Sequence, residues 1–382
     1  MASLLPTIIT SNSPKHLQQQ SYIVLQSSSS QSCLPILSAI VQHARENQKR
    51  NVLLVSFLYP PQALHLGTSS DRVQVLDWTD RIPDYYEDST WNMETELLRA
   101  VTEASAQGTI DIVIDSADTL LSNLGSQAKL YLILHKIQSL LRSKANSSRL
   151  IIHLVSPYSF PSSSPTSNQN SNSFPASILS TSFSSTLTHL IAHPPSLLKH
   201  INNQYLLPPP PYTNPPEKFW SVFIPFSERS YDVEQTVFGI NAEGPSGDAG
   251  EIVVEIIQRG AGLGSGDNSG RRRGVERVLE GWICGSSEDN VGKACPLVEL
   301  ESLKKVFSKK GLPTEEVAPD PTQNVSFNLH LTAEQQQSRA QVPLPYAHEG
   351  NPIPAPQAGS ILYDPDSADD IDDDDPDEDL DI

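Results

Sequence analysis

Apolar and polar positions follow two regimes along the chain. As far as residue 155, short unbroken apolar runs alternate with stretches of helical spacing. The segments "YIVLQ" (22–26), "NVLLVSFL" (51–58), "RVQVLDW" (72–78), "TIDIVIDS" (109–116) and "RLIIHLV" (149–155) read as strands. Unbroken runs of this kind suit parallel strands covered on both faces. Between them, 33–47 places Leu34, Leu37, Ile40 and Val41 on one side. Residues 93–106 read as a second helix. In 127–144, Leu130, Ile133, Leu134, Ile137, Leu140 and Leu141 recur at helical intervals. Strands alternating with helices predict an α/β fold, a doubly wound, mostly parallel twisted sheet with right-handed crossovers.

Beyond 155 the pattern changes. Residues 156–185 hold 13 serines and little charge, the composition of a mobile insertion. A strand resumes over 185–193, and "LPPPPYTNPP" (207–216) has the composition of a stiff spacer. The segments 218–226, 251–260 and 274–285 read as further strands, the last two joined as a hairpin through a Gly-rich loop. The second half therefore predicts an antiparallel edge on the same sheet. Near the end, Phe327, Leu329 and Leu331 alternate like a short strand, and Thr332 with Gln335 fits a capping box. An amphipathic island of this kind within a low-complexity tail reads as a docking segment. The resulting division is a domain over 20–310, a docking tail over 319–350 and an acidic, disordered tail over 351–382.

Charge sharpens this picture. The formal net charge is −19, and residues 364–382 supply 12 acidic and no basic side chains. The remainder stands at −19 + 12 = −7, so the body is not a basic nucleic-acid binder. Any RNA contact has to come from a local patch or from a partner. One dense basic spot exists, Arg271, Arg272 and Arg273 at the tip of the 260–274 loop. It fits either an RNA phosphate contact or a solubilising hairpin tip. Cys33, Cys284 and Cys295 are odd in number and lack CxxC spacing, which points to free thiols in a reducing compartment. The N-terminal residues lack a secretory pattern. With no stretch near the ~20 apolar residues of a membrane span, a soluble intracellular protein is expected.

Candidate chemistry is defined mainly by what the first β–α turn lacks. A phosphate loop needs glycines, so that backbone N–H groups approach the phosphates, and a lysine to meet their charge. "QSSSSQSC" (26–33) has neither; the first glycine is Gly67, and the only earlier lysines are Lys15 and Lys49. Asp115, at the end of "IDIVID", matches the acid that holds a magnesium-bound water in P-loop ATPases. An Asp or Ser there equally serves to cap the next helix. No GxSxG or HExxH motif occurs, so neither catalytic nor metal-binding residues are assigned. His153, His189, His193 and His200 read as structural. Two readings stay open on these residues: a frame that has lost its nucleotide chemistry, and an active nucleotide hydrolase with an unorthodox loop. A third, an acidic-tailed adaptor for basic proteins, rests on 364–382 alone.

Taken together, "IDIVIDSADTLL", "EIIQRGAG…GRRRGVERVLEGW" and "FNLHLTAEQQQSRAQVPLPY" before an acidic end resemble a known family, the fifth subunit of the Elongator complex in a fungal-type form. The resemblance implies a RecA-like domain without its ATPase motifs and without a cofactor. It also implies a hetero-hexameric ring with Elongator's fourth and sixth subunits, two copies of each. Such a ring binds tRNA and supports wobble-uridine modification, whose chemistry belongs to the catalytic subassembly. A cytoplasmic and nuclear location would follow. By match to the terminal motif, partner contact falls on Phe327, Leu329, Leu331, Leu344 and Tyr346, with RNA contact on Arg271, Arg272 and Arg273.

Overall fold

The computed structural model describes residues 3–10, 21–46, 50–64, 72–81, 92–143, 148–155, 174–240, 250–260, 275–285, 292–308 and 333–340. Residues 1–312 form one compact unit and 313–382 another.

The first unit begins with α1 (Leu5–Thr10), β1 (Tyr22–Gln26), α2 (Leu34–Glu46), β2 (Asn51–Ser56), β3 (Val73–Asp77), α3 (Met93–Ala106) and β4 (Ile110–Ile114). It continues with α4 (Ala117–Leu124), α5 (Gln127–Ser143), β5 (Arg149–Leu154), α6 (Phe174–Leu179), β6 (Leu187–His193), α7 (Pro195–Tyr205), α8 (Pro216–Ser227) and α9 (Ser230–Phe238). It ends with β7 (Glu251–Arg259), β8 (Val275–Ile283), β9 (Lys293–Cys295) and α10 (Lys304–Ser308). All nine strands join one sheet in the order β3-β2-β4-β5-β1-β6-β7-β8-β9. The contacts from β3 through β6 are parallel, and those from β6 to β9 antiparallel. This is the mostly parallel sheet with an antiparallel C-terminal edge that the sequence leads one to expect.

Local chemistry accounts for the element boundaries. Asn92 caps α3 by accepting the Thr95 N–H at 3.1 Å, and Ser116 caps α4 by accepting the Thr119 N–H at 3.2 Å. Gly125 ends α4 at φ 63°, a left-handed position that suits glycine. Strands β1, β4 and β5 are buried along their whole length. Alternate residues feed opposite faces: Tyr22 and Val24 pack with α3, α5 and α6, whereas Ile23 and Leu25 pack with α1 and α2. A third apolar cluster joins α7, α8, α9 and α10 beneath β7.

Three expectations need correction. Residues 218–226 are not a strand but most of α8. Pro215 and Pro216 sit at the N-cap and first helical position, where a missing N–H costs nothing. Phe219 and Phe223, four apart, are both buried, so packing overrides the strand preference of an aromatic run. The serine-rich 156–185 stretch is not a loop throughout. Residues 156–173 lie outside the described residues, but α6 follows them and buries Phe174 and Ile178, with Phe183 buried just after. The 207–216 segment is not a free spacer either, since Pro208, Pro209 and Thr213 are buried.

In the second unit the described element is α11 (Ala333–Ala340). It begins where the capping box was expected, although Thr332 itself lies outside the described residues.

Candidate functional site

The turn between a parallel strand and the next helix is where nucleotide-binding α/β sheets hold phosphate, and the turn after β1 closes on itself. The Ser27 Oγ accepts the Cys33 N–H at 2.8 Å and lies 2.7 Å from His153 Nε2. His153 Nδ1 is 2.8 Å from the Asp115 main-chain oxygen. That oxygen can only accept, so Nδ1 carries the proton and Nε2 receives the Ser27 hydroxyl. Burial holds the His153 pKa below its ordinary value, in keeping with a neutral ring. Further along, the Ser28 N–H goes to the Gln31 carbonyl at 2.8 Å, and the Gln31 N–H returns to Ser28 Oγ at 3.1 Å. Ser29 donates to the Glu234 carboxylate of α9.

Asp115 has a structural role. Its carboxylate accepts the N–H groups of Phe57, Leu58 and Tyr59 at 2.7, 2.8 and 2.8 Å, pinning the turn after β2. Burial raises its pKa and these bonds oppose the rise. Ser116, not Asp115, caps the following helix. Ser27, His153 and Asp115 thus share residue types with a hydrolytic triad without its wiring. A triad places the carboxylate on His Nδ1, whereas here the main-chain oxygen occupies that position. Ser27 and His153 are also 3% and 0% exposed.

Beside this turn lies a cavity of about 130 Å³, between β6–β8 and the α8–α9 pair. The buried polar groups of its β6–β8 wall are paired with one another or with Gln26. His189 Nε2 meets Gln26 Oε1 at 2.9 Å, His193 Nε2 meets Glu255 Oε2 at 2.8 Å, and Arg277 reaches Glu255 Oε1 at 3.2 Å. Burial pushes Glu255 up, but His193 and Arg277 outweigh it and hold the carboxyl below its ordinary range. Burial drives His189 down to about 4. Sites for nucleotide-sized ligands occupy ~300–1,000 Å³, well above this volume.

A second buried cluster, one that periodicity does not reveal, holds the opposite end of the sheet. Asp111 on β4 receives Arg50 through Nε (3.1 Å) and Nη2, and Arg149 through Nε (3.1 Å) and Nη2 (2.6 Å). Arg149 Nη1 also donates to the Ile8 carbonyl of α1 at 2.8 Å. The usable signal was a charged residue inside the otherwise apolar strand "IDIVI". Among the described residues, no group of three or more His, Cys, Asp or Glu side chains could hold a metal ion. Arg271, Arg272 and Arg273, between β7 and β8, lie outside the described residues, as do Phe327, Leu329, Leu331, Leu344 and Tyr346.

Fold and site define an α/β domain with a mostly parallel sheet, whose first turn has neither the residues nor the open backbone of a phosphate loop. Residues 272–364 match the family model described as Elongator subunit Iki1. The chain is 40% identical over 70 residues to Elongator complex protein 5 of Mus musculus, covering 16% of this chain and 23% of that protein. The Danio rerio protein is 40% identical over 68 residues, and the Homo sapiens protein 39% over 70, with the same 16% and 23% coverage. The chain thus matches about a quarter of the length of these curated relatives. Among solved structures, the KaiC-like protein PH0186 from Pyrococcus horikoshii OT3 aligns with TM-score 0.36 and 8% identity, over 72% of this chain and 89% of that one.

Proposed function

We propose that this chain is a non-catalytic structural and regulatory subunit of the Elongator complex. In this reading it joins the fourth and sixth subunits in a hetero-hexameric RecA-like ring. That ring binds tRNA and supports wobble-uridine modification by the catalytic subassembly. The observation that carries the reading is the turn after β1, whose hydroxyls and amides bond to His153, Cys33, Gln31 and Glu234. A nucleotide phosphate needs free N–H groups and a cation in that place. The Iki1 match over 272–364 supports membership. It spans Phe327, Leu329, Leu331, Leu344 and Tyr346, to which we assign partner contact. Work at tRNA implies a cytoplasmic and nuclear location.

The test is co-expression of the full chain with the two candidate partners, followed by the native mass of the complex purified through it. A hexamer-sized species is expected, and truncation at about residue 320 should abolish it while the body still folds. A full-length chain that stays monomeric beside both partners would overturn the proposal. ATP binding by the isolated chain, lost on Asp115→Ala, would replace it with the hydrolase reading.

A further inference from the structure

Strand β8 outruns its neighbour at the open side of the sheet. It pairs with β7 along its whole length, Val275–Ile283, but β9 covers only Gly281, Trp282 and Ile283. The register fixes which main-chain groups face outward. The Cys284 N–H donates to the Gly250 carbonyl at 2.9 Å, in line with the β7–β8 ladder. Antiparallel strands alternate bonded pairs of this kind with unbonded ones, so Glu276, Val278 and Glu280 turn their N–H and C=O groups to β7. Val275, Arg277 and Leu279 turn theirs the other way, and no described residue pairs with them there. Val275 is 62% exposed. The Arg277 side chain does not cover this edge. It reaches back to Glu255 of β7 at 3.2 Å and lies 5.9 Å from the Trp220 ring of α8.

An edge of this kind is a template for one more strand. A second copy of β8 does not fit it. Directly opposite residues share a face of the sheet, so a two-fold axis between antiparallel copies must pass through a residue position. An axis at 276 sets Glu276 against itself, one at 277 sets Arg277 against itself, and one at 278 sets Glu276 against Glu280. Like charges directly opposite are destabilising. A strand of different sequence meets no such conflict. Glu276 and Val278 fall at the unbonded positions of the new pair, where Cα atoms approach to ~4.5 Å and side chains are closest. They favour a lysine or arginine opposite Glu276 and a β-branched residue opposite Val278. The edge also lies within the 272–364 segment that matches the Elongator family model.

We propose that the edge from Val275 to Leu279 receives an antiparallel strand from another Elongator subunit, one with a basic side chain opposite Glu276. The inference rests on the complex membership proposed above and places one subunit contact in the body of the chain. Amide exchange is read residue by residue in the full chain alone and in the complex purified through it. In the free chain the Val278 and Glu280 amides should exchange slowly and those of Arg277 and Leu279 fast. In the complex Arg277 and Leu279 should slow roughly tenfold or more, with Val278 and Glu280 little changed. Val275→Pro removes an outward N–H and leaves the β7 ladder intact. It should keep the unfolding midpoint and weaken partner retention at least about twofold, and Glu276→Lys should weaken retention as well. An intact complex whose Arg277 and Leu279 amides exchange as in the free chain would overturn this edge and leave the proposed function standing. Equal slowing of all four amides would mark general stabilisation and also overturn it. A full chain that forms no complex would overturn both. Slow Arg277 and Leu279 amides in an isolated chain of doubled mass would make a second copy the occupant, against the proposal.

Discussion

Replacing Asp111 with asparagine tests whether the cluster at the start of β4 holds the sheet together. Asp111 is 0% exposed, Arg149 2% and Arg50 5%. The substitution removes the charge that offsets two buried guanidinium groups. Hydrogen bonds to charged groups contribute ~1.5–3 kcal/mol each, though they are not additive within one cluster. Removing one partner of a buried ion pair costs ~3–5 kcal/mol, and about 4 kcal/mol is a large share of the ~5–15 kcal/mol of a typical domain. With a urea dependence of about 3 kcal/mol per molar, the unfolding midpoint should fall by roughly 1.3 M. Fluorescence of buried Trp78 and Trp282 reports the transition. A companion variant, Arg50→Met/Asp111→Leu/Arg149→Met, should lie much nearer wild type, because apolar replacement of a whole buried cluster is often neutral. The pH dependence has a defined sign. Burial pushes the Asp111 pKa up, but Arg149 and Arg50 outweigh it and hold the carboxyl below its ordinary value. Its contribution is therefore full above the unfolded pKa of ~3.9 and is lost as pH falls through the depressed folded value. A midpoint shift under about 0.3 M for Asp111→Asn, roughly 1 kcal/mol, would refute the argument.

Glu280 on β8 accepts the Ser3 hydroxyl and the Leu4 and Leu5 N–H groups. Glu280→Ala should cost ~1–3 kcal/mol and accelerate amide exchange in α1 more than in β4. His189 has its folded pKa driven down to about 4 by burial, against ~6.5 unfolded. Its contribution is full above 6.5 and lost as pH falls toward 4, so His189→Gln should flatten the stability profile across that window. Arg271→Glu/Arg272→Glu/Arg273→Glu should weaken tRNA binding by the assembled complex at low salt without changing its mass. Unchanged affinity there would leave those arginines a solubilising role.

Periodicity located the sheet well because its strands are buried on both faces, as the unbroken runs in β2, β4 and β5 indicate. It misread α8, where the Phe219–Phe223 spacing was present but masked by aromatic and β-branched neighbours. It passed over α7, although Leu197, Leu198 and Ile201 carry a helical interval. The candidate site divides in the same way. Absent glycine and lysine after β1 can be read directly from composition. The Ser27–His153 pair joins positions 126 residues apart, and Asp115 meets the turn after β2 across 56 to 58. Those meetings depend on strand order and register, which no local pattern encodes.

Helix α1 is tied to the sheet at two distant places, through Arg149 on β5 and Glu280 on β8. Leu5 and Glu280 are 275 positions apart. At ~5–20 residues per second of synthesis, roughly 15 to 55 s separate the emergence of these two partners. The Leu4 and Leu5 N–H groups, made early, thus wait for nearly the whole body before the Glu280 carboxylate that accepts them is made. Docking of α1 can therefore mark completion of the domain during its own translation.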